Sequence, residues 1–279
     1  MSLNHLICMP KEKKYQKRKI SANRQILADY NAVASSMPMV YGLIEVDITD
    51  SLAKIEEIRE KENYKVSMTA FTAKCLGITC QVNRPLNTFR KGRKLIVFDD
   101  VDVSVIIEIV TETGKKVPYN YVIRNADKKS VRTITEEIRS YQDKKIEERE
   151  QLARGQTKYT SLYTLIPGFI RRWVIRRIIT NPYRLKKLAG TVGLTSMGMF
   201  IKGKGGWLIP FRDKTLNVST GGIKNHVIIR DGKVEERKLL CTAFMVNHDI
   251  IDGAPGARFI AHVSELMGQT TYLDDLDKI

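Results

Sequence analysis

The run VDVSVIIEIVTET, from Val101 to Thr113, sets the terms for everything around it. β-Branched side chains give up little rotamer freedom on a pleated surface, so the run reads as a strand. Its apolar residues fall on both faces, the pattern of a strand central in a sheet. Such a strand needs neighbours on both edges and cover on both faces. KLIVFDD precedes it as another strand, Gly114 makes a turn, and KVPYNYVIRNAD returns. MVYGLIEVDIT (Met39 to Thr49), GTVGLTSMGMF (Gly190 to Phe200), TLNVSTGGI and NHVIIRDGKVEERKLLCTAFMV add further extended segments, the last with a turn at Asp231 and Gly232.

Helical stretches supply the cover. One runs from Ile20 to Val33 behind a cap at Ser21, a charged one capped by Asp50 or Ser51 reaches about Lys61, and Ser130 caps another to about Leu152. Val66 to Asn83 is small and apolar all round, which suits a buried helix, and Pro85 stops it. A final helix is expected from about Pro255 to Met267. Strands and helices mix without strict alternation, and no repeat of roughly 20 to 50 residues is visible. The reading that uses these elements is an α/β sandwich with a large mixed sheet. The 279 residues could hold one large domain or two small ones. No linker interrupts them, so we read one domain, residues 20–279, behind a basic arm, residues 1–19.

Charge narrows the partners. With 47 basic and 31 acidic residues the chain carries +16, which favours nucleic acid, a membrane surface or a phosphorylated small molecule. KEKKYQKRK (Lys11 to Lys19) makes the arm basic, and Lys158 to Lys187 holds basic residues and no acid. No recognised nucleic-acid motif accompanies the charge, which sets nucleic acid aside. The chain lacks both an apolar run of the roughly 18 residues a spanning helix needs and a leader pattern, so the expected setting is cytoplasmic. Cys8, Cys75, Cys80 and Cys241 show no metal-site or disulfide spacing and read as reduced thiols, with no metal expected.

MVNHDIIDGAPGARF, from Met245 to Phe259, carries the candidate chemistry. His248 follows the apolar LLCTAFMV, so its imidazole falls at a strand end, where a cleft can reach it. Asp252 lies four residues on. Gly253 then permits a tight turn or a close backbone approach before the last helix. His5, His226 and His262 sit in the arm, before a strand and on the last helix.

Four separated stretches together resemble the catalytic domain of the dihydrolipoyl acyltransferases of 2-oxo acid dehydrogenase complexes, relatives of chloramphenicol acetyltransferase. HDIIDGAPGARF is similar to that family's H-R-V-x-D-G-A-x-x-A-R-F, and GLTSMGMF to its T-I-S-N-L-G-x-F. VDVSVIIEIVTETGKKVPYNYVIRNAD is similar to A-V-x-T-x-x-G-L-x-V-P-V-I-x-x-A-D, and SSMPMVYGLIEVDIT to the entry strand after S-x-x-x-x-P. The order is collinear over about residues 20 to 270, apart from one insertion.

The resemblance implies a chloramphenicol acetyltransferase-like two-layer sandwich, assembled as a homotrimer in which His248 of one subunit faces Thr195 of its neighbour. It implies an acyltransferase moving an acyl group between coenzyme A and a thiol, lipoyl-type or other, or a hydroxyl acceptor, by direct attack without a covalent acyl-enzyme. His248 holds the place of the general base. A free imidazole near pKa 6.5 facing a thiol near 8.5 leaves an uphill proton transfer of roughly 2.7 kcal/mol, within what positioning supplies.

Thr195 holds the place of the hydroxyl that stabilises the oxyanion, with Ser196 the alternative one residue on. Asp252 either acts directly on the imidazole or pairs with an arginine and keeps the turn in shape; Arg24 is the candidate, with Arg18 close by. Where the family has Asp and Arg around the histidine, this chain has Asn247 and Asp249. It begins almost at the catalytic region, without a lipoyl or subunit-binding domain, so no covalently bound lipoyl group is expected on it. A different class of function on the same fold is a catalytically idle trimeric scaffold.

The insertion, YTSLYTLIPGFIRRWVIRRIITNPYRLKK, lies within residues 158–187. A short helix from about Pro167 to Ile179 is expected, with Ile170, Trp173, Val174 and Ile178 on one face and Arg177 inside it. Three roles are open to it: cover for the fold or an oligomer contact, with arginines reaching to water; a wall of the acyl or coenzyme A channel; or a membrane-surface helix delivering a lipophilic acyl substrate.

Overall fold

The computed structural model describes residues 15–111, 114, 116–143, 163–198, 201, 204–210 and 213–279. The expected arm lies outside these except for residues 15–19, which are exposed and form no helix or strand; the helix behind Ser130 ends at Gln142, where the Asp143 N–H closes its last turn, short of the expected Leu152.

The central run forms β4 (Val103–Val110) inside a six-stranded mixed sheet of order β1-β8-β7-β6-β4-β5. Its members are β1 (Met39–Asp47), β5 (Lys116–Ile123), β6 (Val192–Ser196), β7 (Leu216–Arg230) and β8 (Lys233–Asn247). β6 runs parallel to both β4 and β7, while the other pairs are antiparallel. Asp231 and Gly232 both take positive φ, the geometry a two-residue hairpin turn demands, and they join β7 to β8. The KLIVFDD strand does not enter this sheet: among the described residues β3 (Lys94–Val97) pairs only with β2 (Thr88–Lys91), in a separate ribbon.

One face of the sheet carries the apolar core. Val103, Val105, Val192, Leu194, Leu216, Val218, Phe244 and Val246 share a buried cluster with residues of α2 (Thr49–Glu62), α3 (Met68–Val82), α4 (Val131–Gln142) and α7 (Gly253–Gly268). α3 is the buried helix that its small, apolar sequence requires, capped by the Ser67 hydroxyl. α2 begins earlier than its acidic cap suggested, because Asp47 Oδ1 accepts from the Thr49 backbone N–H at 3.0 Å. α1 (Ala22–Ala34) starts at Ser21 as expected.

The opposite face is small and polar. Strand alternation turns Gly193, Thr195, Asn217, Ser219, Cys241 and Ala243 that way. A glycine-rich turn closes over part of it, where Gly206 bridges Gly222 and its N–H donates to Cys241 Sγ. A side chain on Gly221 or Gly222 would collide with the backbone carbonyls of Gly206 and Lys204. The insertion contributes α5 (Gly168–Ile179) and α6 (Pro182–Ala189), and α5 packs along α1.

Candidate functional site

The turn after β8 is tied down on every side except that of the imidazole. The His248 N–H donates to Pro38 O at 2.8 Å, joining the turn to the chain entering β1. Asn247 Oδ1 accepts from the Asp249 N–H at 2.9 Å, and the Asn247 carbonyl accepts from both Ile250 and Ile251. Buried Ile251 anchors the turn in the core. Asp249 pairs with Arg90 of β2 at 3.0 Å. The two departures from the family motif therefore have local work: Asn247 closes the turn, and Asp249 fastens it to the β2–β3 ribbon. The His248 side chain is exposed and has no hydrogen-bond partner among the described residues.

Asp252 caps α7 through its backbone: its carbonyl accepts from Gly256, while its carboxylate makes no cap hydrogen bond. The chain brings it neither to His248 nor to Arg24, which is exposed on α1; among the described residues neither Asp252 nor Arg24 has an ion-pair partner. Gly253 departs from its expected role. Its φ is not positive and an added Cβ would meet nothing within 4 Å, so the fold of the single chain does not require glycine there.

Beside the turn lies an open cavity of about 500 Å³, reaching Asn247 and Asp249. Phe89 and Arg90 of the ribbon, Arg176 and Ile179 of α5, Leu185 of α6 and Lys214 line it. Lys214 is buried, with its ammonium 2.7 Å from Asp213 Oδ1; the Tyr30 hydroxyl donates to Asp213 Oδ2 at 2.6 Å. Burial and the Asp213 charge push the Tyr30 phenol far above its ordinary range, so it stays a neutral donor. Sequence reasoning missed this group because its members lie far apart in the chain; only the charged RDK before β7 hinted at it. Nearby, burial pushes the Asp29 carboxyl up, but hydrogen bonds from Arg171, Tyr163 and Gln25 outweigh it and hold the group below the usual carboxylate range.

Thr195 and Ser196 end β6 and point to opposite faces, so they are not interchangeable. Leu194 enters the helix-side core, which turns Thr195 to the small polar face and Ser196 to the helix side. Thr195 is in register with Ser219, whose buried hydroxyl has no partner among the described residues. Ser219 is in turn in register with Ala243. From Ala243 to His248 the chain advances about 16 Å at roughly 3.3 Å per residue, and two strand spacings of about 4.8 Å separate β8 from β6. Thr195 and His248 of one chain thus stand on the order of 19 Å apart, far beyond the approximately 3 Å contacts that chemistry requires.

Cys75, Cys80 and Cys241 are buried free thiols, and burial pushes the first two well above their ordinary pKa. Among the described residues no His/Cys/Asp/Glu group suited to holding a metal is found.

This architecture is that of the acyltransferase cores of 2-oxo acid dehydrogenase complexes. A probable dihydrolipoamide acetyltransferase from Listeria monocytogenes 4b F2365 superposes with a TM-score of 0.65 at 19% identity, over 91% of this chain and 94% of that one. The dihydrolipoamide acetyltransferase (E2p) of Azotobacter vinelandii gives 0.65 at 18% identity, over 98% and 99%. Residues 12–157 match the family of 2-oxoacid dehydrogenases acyltransferase (catalytic domain), and the chain belongs to that family.

In sequence it is 25% identical over 235 residues to the dihydrolipoyllysine-residue acetyltransferase component of the pyruvate dehydrogenase complex of Bacillus subtilis (strain 168), covering 82% of this chain. It spans 45% of that relative's length.

Proposed function

We propose that this chain transfers an acyl group between coenzyme A and a thiol or hydroxyl acceptor, in the cytoplasm, as a homotrimer whose sites lie between subunits. The observation that carries the reading is the pairing of an exposed, unpartnered imidazole at the end of β8 with a candidate oxyanion donor on the order of 19 Å away in the same chain. Two half-sites this far apart on one sheet become a whole site only when a second copy brings its other half. β1 is an edge strand with Val40 and Leu43 exposed, and the β7–β8 hairpin runs past the sheet with Val227, Ile229 and Val234 exposed, surfaces that suit contact between copies.

In this reading His248 takes the proton of the acceptor thiol as sulfur attacks the thioester carbonyl. The oxyanion receives a hydrogen bond from Thr195 of the neighbouring copy. Collapse expels the coenzyme A thiolate, which takes the proton back from the imidazolium, so no acyl group rests on the protein. Asp252 holds the start of α7 through its carbonyl, which accepts from Gly256, and Ser196 is the alternative donor. The Azotobacter vinelandii relative has been investigated for the role of a serine, a histidine and an asparagine in its catalytic mechanism. The comparable set here is Thr195 or Ser196, His248 and Asp252. At the cavity, Arg176 has no acidic partner among the described residues and suits a phosphate-bearing thioester.

The test is acyl exchange from acetyl-coenzyme A to dihydrolipoamide, to other small thiols and to alcohols. The wild type should transfer to at least one acceptor, and His248→Ala should lower kcat about 100 to 10,000-fold with the assembly mass unchanged. Normal turnover by that variant would remove His248 from the reaction.

A further inference from the structure

Helix α5 carries two apolar stripes, and the fold uses one. Ile175 and Ile179 join Ala34 in a buried cluster against Tyr30 and Val33 of α1. Arg171 turns to the same side, where its Nε donates to the buried Asp29 carboxylate at 2.7 Å. The arc of Ile170, Trp173 and Val174, expected to share one face, turns to solvent. Phe169 is 69% exposed, Trp173 61% and Ile170 40%, with Leu165 at 77% one turn ahead of the helix.

The segment that carries this outward stripe has charge of one sign. No acidic residue occurs from Tyr163 to Gly190, and Arg177, Arg184 and Lys187 have no acidic partner among the described residues. The Arg177 guanidinium lies over the Trp173 ring, 5.8 Å from its centroid, so cation and aromatic share the outer face. No helix of the described residues is long and apolar enough to cross a membrane. A face of Phe, Ile and Trp set among unpaired arginines is the composition that lies in the plane of a bilayer interface, rings at the acyl boundary and guanidinia at the phosphates.

We propose that the outer face of α5, with the turn at Leu165, docks this protein on an anionic bilayer surface. A second copy of the chain would have to present an acidic face here, whereas an anionic bilayer offers that charge over its whole surface. The inner side of the same helix lines the cavity beside the turn of Asn247 and Asp249. The inference rests on the fold and on charge, and stands or falls independently of acyl transfer.

Sedimentation of the full chain with vesicles tests it. At low salt the wild type should pellet with vesicles of phosphatidylcholine mixed with phosphatidylglycerol and stay in solution with phosphatidylcholine alone. The double variant Phe169→Glu/Trp173→Glu should lose at least about tenfold in vesicle affinity, and Arg177→Ala and Arg184→Ala should lose about fivefold each. The sedimentation mass without lipid should be the same for all of them. Wild type that ignores the anionic vesicles, or variants that bind them as well as wild type does, would overturn the proposal. A change in assembly mass on altering Phe169 and Trp173 would overturn it too, by making this face a contact between copies.

Discussion

The ends of two strands of the central sheet, β8 at His248 and β6 at Thr195, carry the two halves of the candidate site, and they are built on opposite principles. The His248 end is open: an exposed imidazole on a tight turn, beside a cavity walled by α5 and α6 and floored by the buried Lys214–Asp213–Tyr30 group. The Thr195 end is closed, its hydroxyl set among Gly193, Asn217 and Ser219, with Gly221 and Gly222 in backbone contact with the turn above. Where backbone meets backbone, nothing can change without moving the sheet. Where an inserted segment supplies the wall, the lining can change while β8 and its histidine stay put. In the proposed function, the reactive geometry and the choice of acceptor would be carried by different parts of the chain.

The contrast can be tested first at the closed end. If Thr195 supplies the oxyanion bond, Thr195→Ala should reduce kcat on the order of 100 to 1,000-fold with little change in KM, while Ser196→Ala, on the other face of β6, should leave kcat within about tenfold. Steady-state kinetics on both variants decides it, and the reverse ranking would transfer the role to Ser196.

A smaller effect is expected in the wall of the open end. Arg171→Ala leaves Asp29 buried without its main counter-charge and should cost on the order of 3 kcal/mol in thermal or denaturant unfolding. The Asp29 carboxyl is held below its unfolded value, so the stability it adds is present above the usual carboxylate range and is lost as pH falls through its folded pKa. Hydrogen exchange across that range should show the α5 amides loosening before those of β8. Uniform loosening would mean that α5 is not a separate wall.

Much of the fold was legible because its signals are local. Asp231–Gly232 specifies its hairpin, Ser21 and Ser130 cap their helices, and the all-round apolar α3 could only be buried. What stayed hidden depends on distant partners. The orientation of α5 is set by Asp29, far away in sequence, which draws Arg171 inward and leaves the broader apolar arc outside. The cavity joins residues from α1, β2, the insertion and the entry to β7. Alternation along β6 separates Thr195 from Ser196, but only the burial of Leu194 says which face each one takes. His248 was readable as a strand-end residue; its distance from Thr195 needed the register of β6, β7 and β8 together.

That distance leads to the most direct measurement. His248→Ala and Thr195→Ala chains, each inactive alone, are co-expressed and the mixed assemblies purified and assayed. If the site forms between subunits, random mixing in a cyclic trimer leaves one intact His248–Thr195 pair in about four, and activity should return to about one quarter of wild type. If each chain uses its own two residues, every site in the mixture is broken. Activity no higher than that of the separate variants would contradict a site shared between copies.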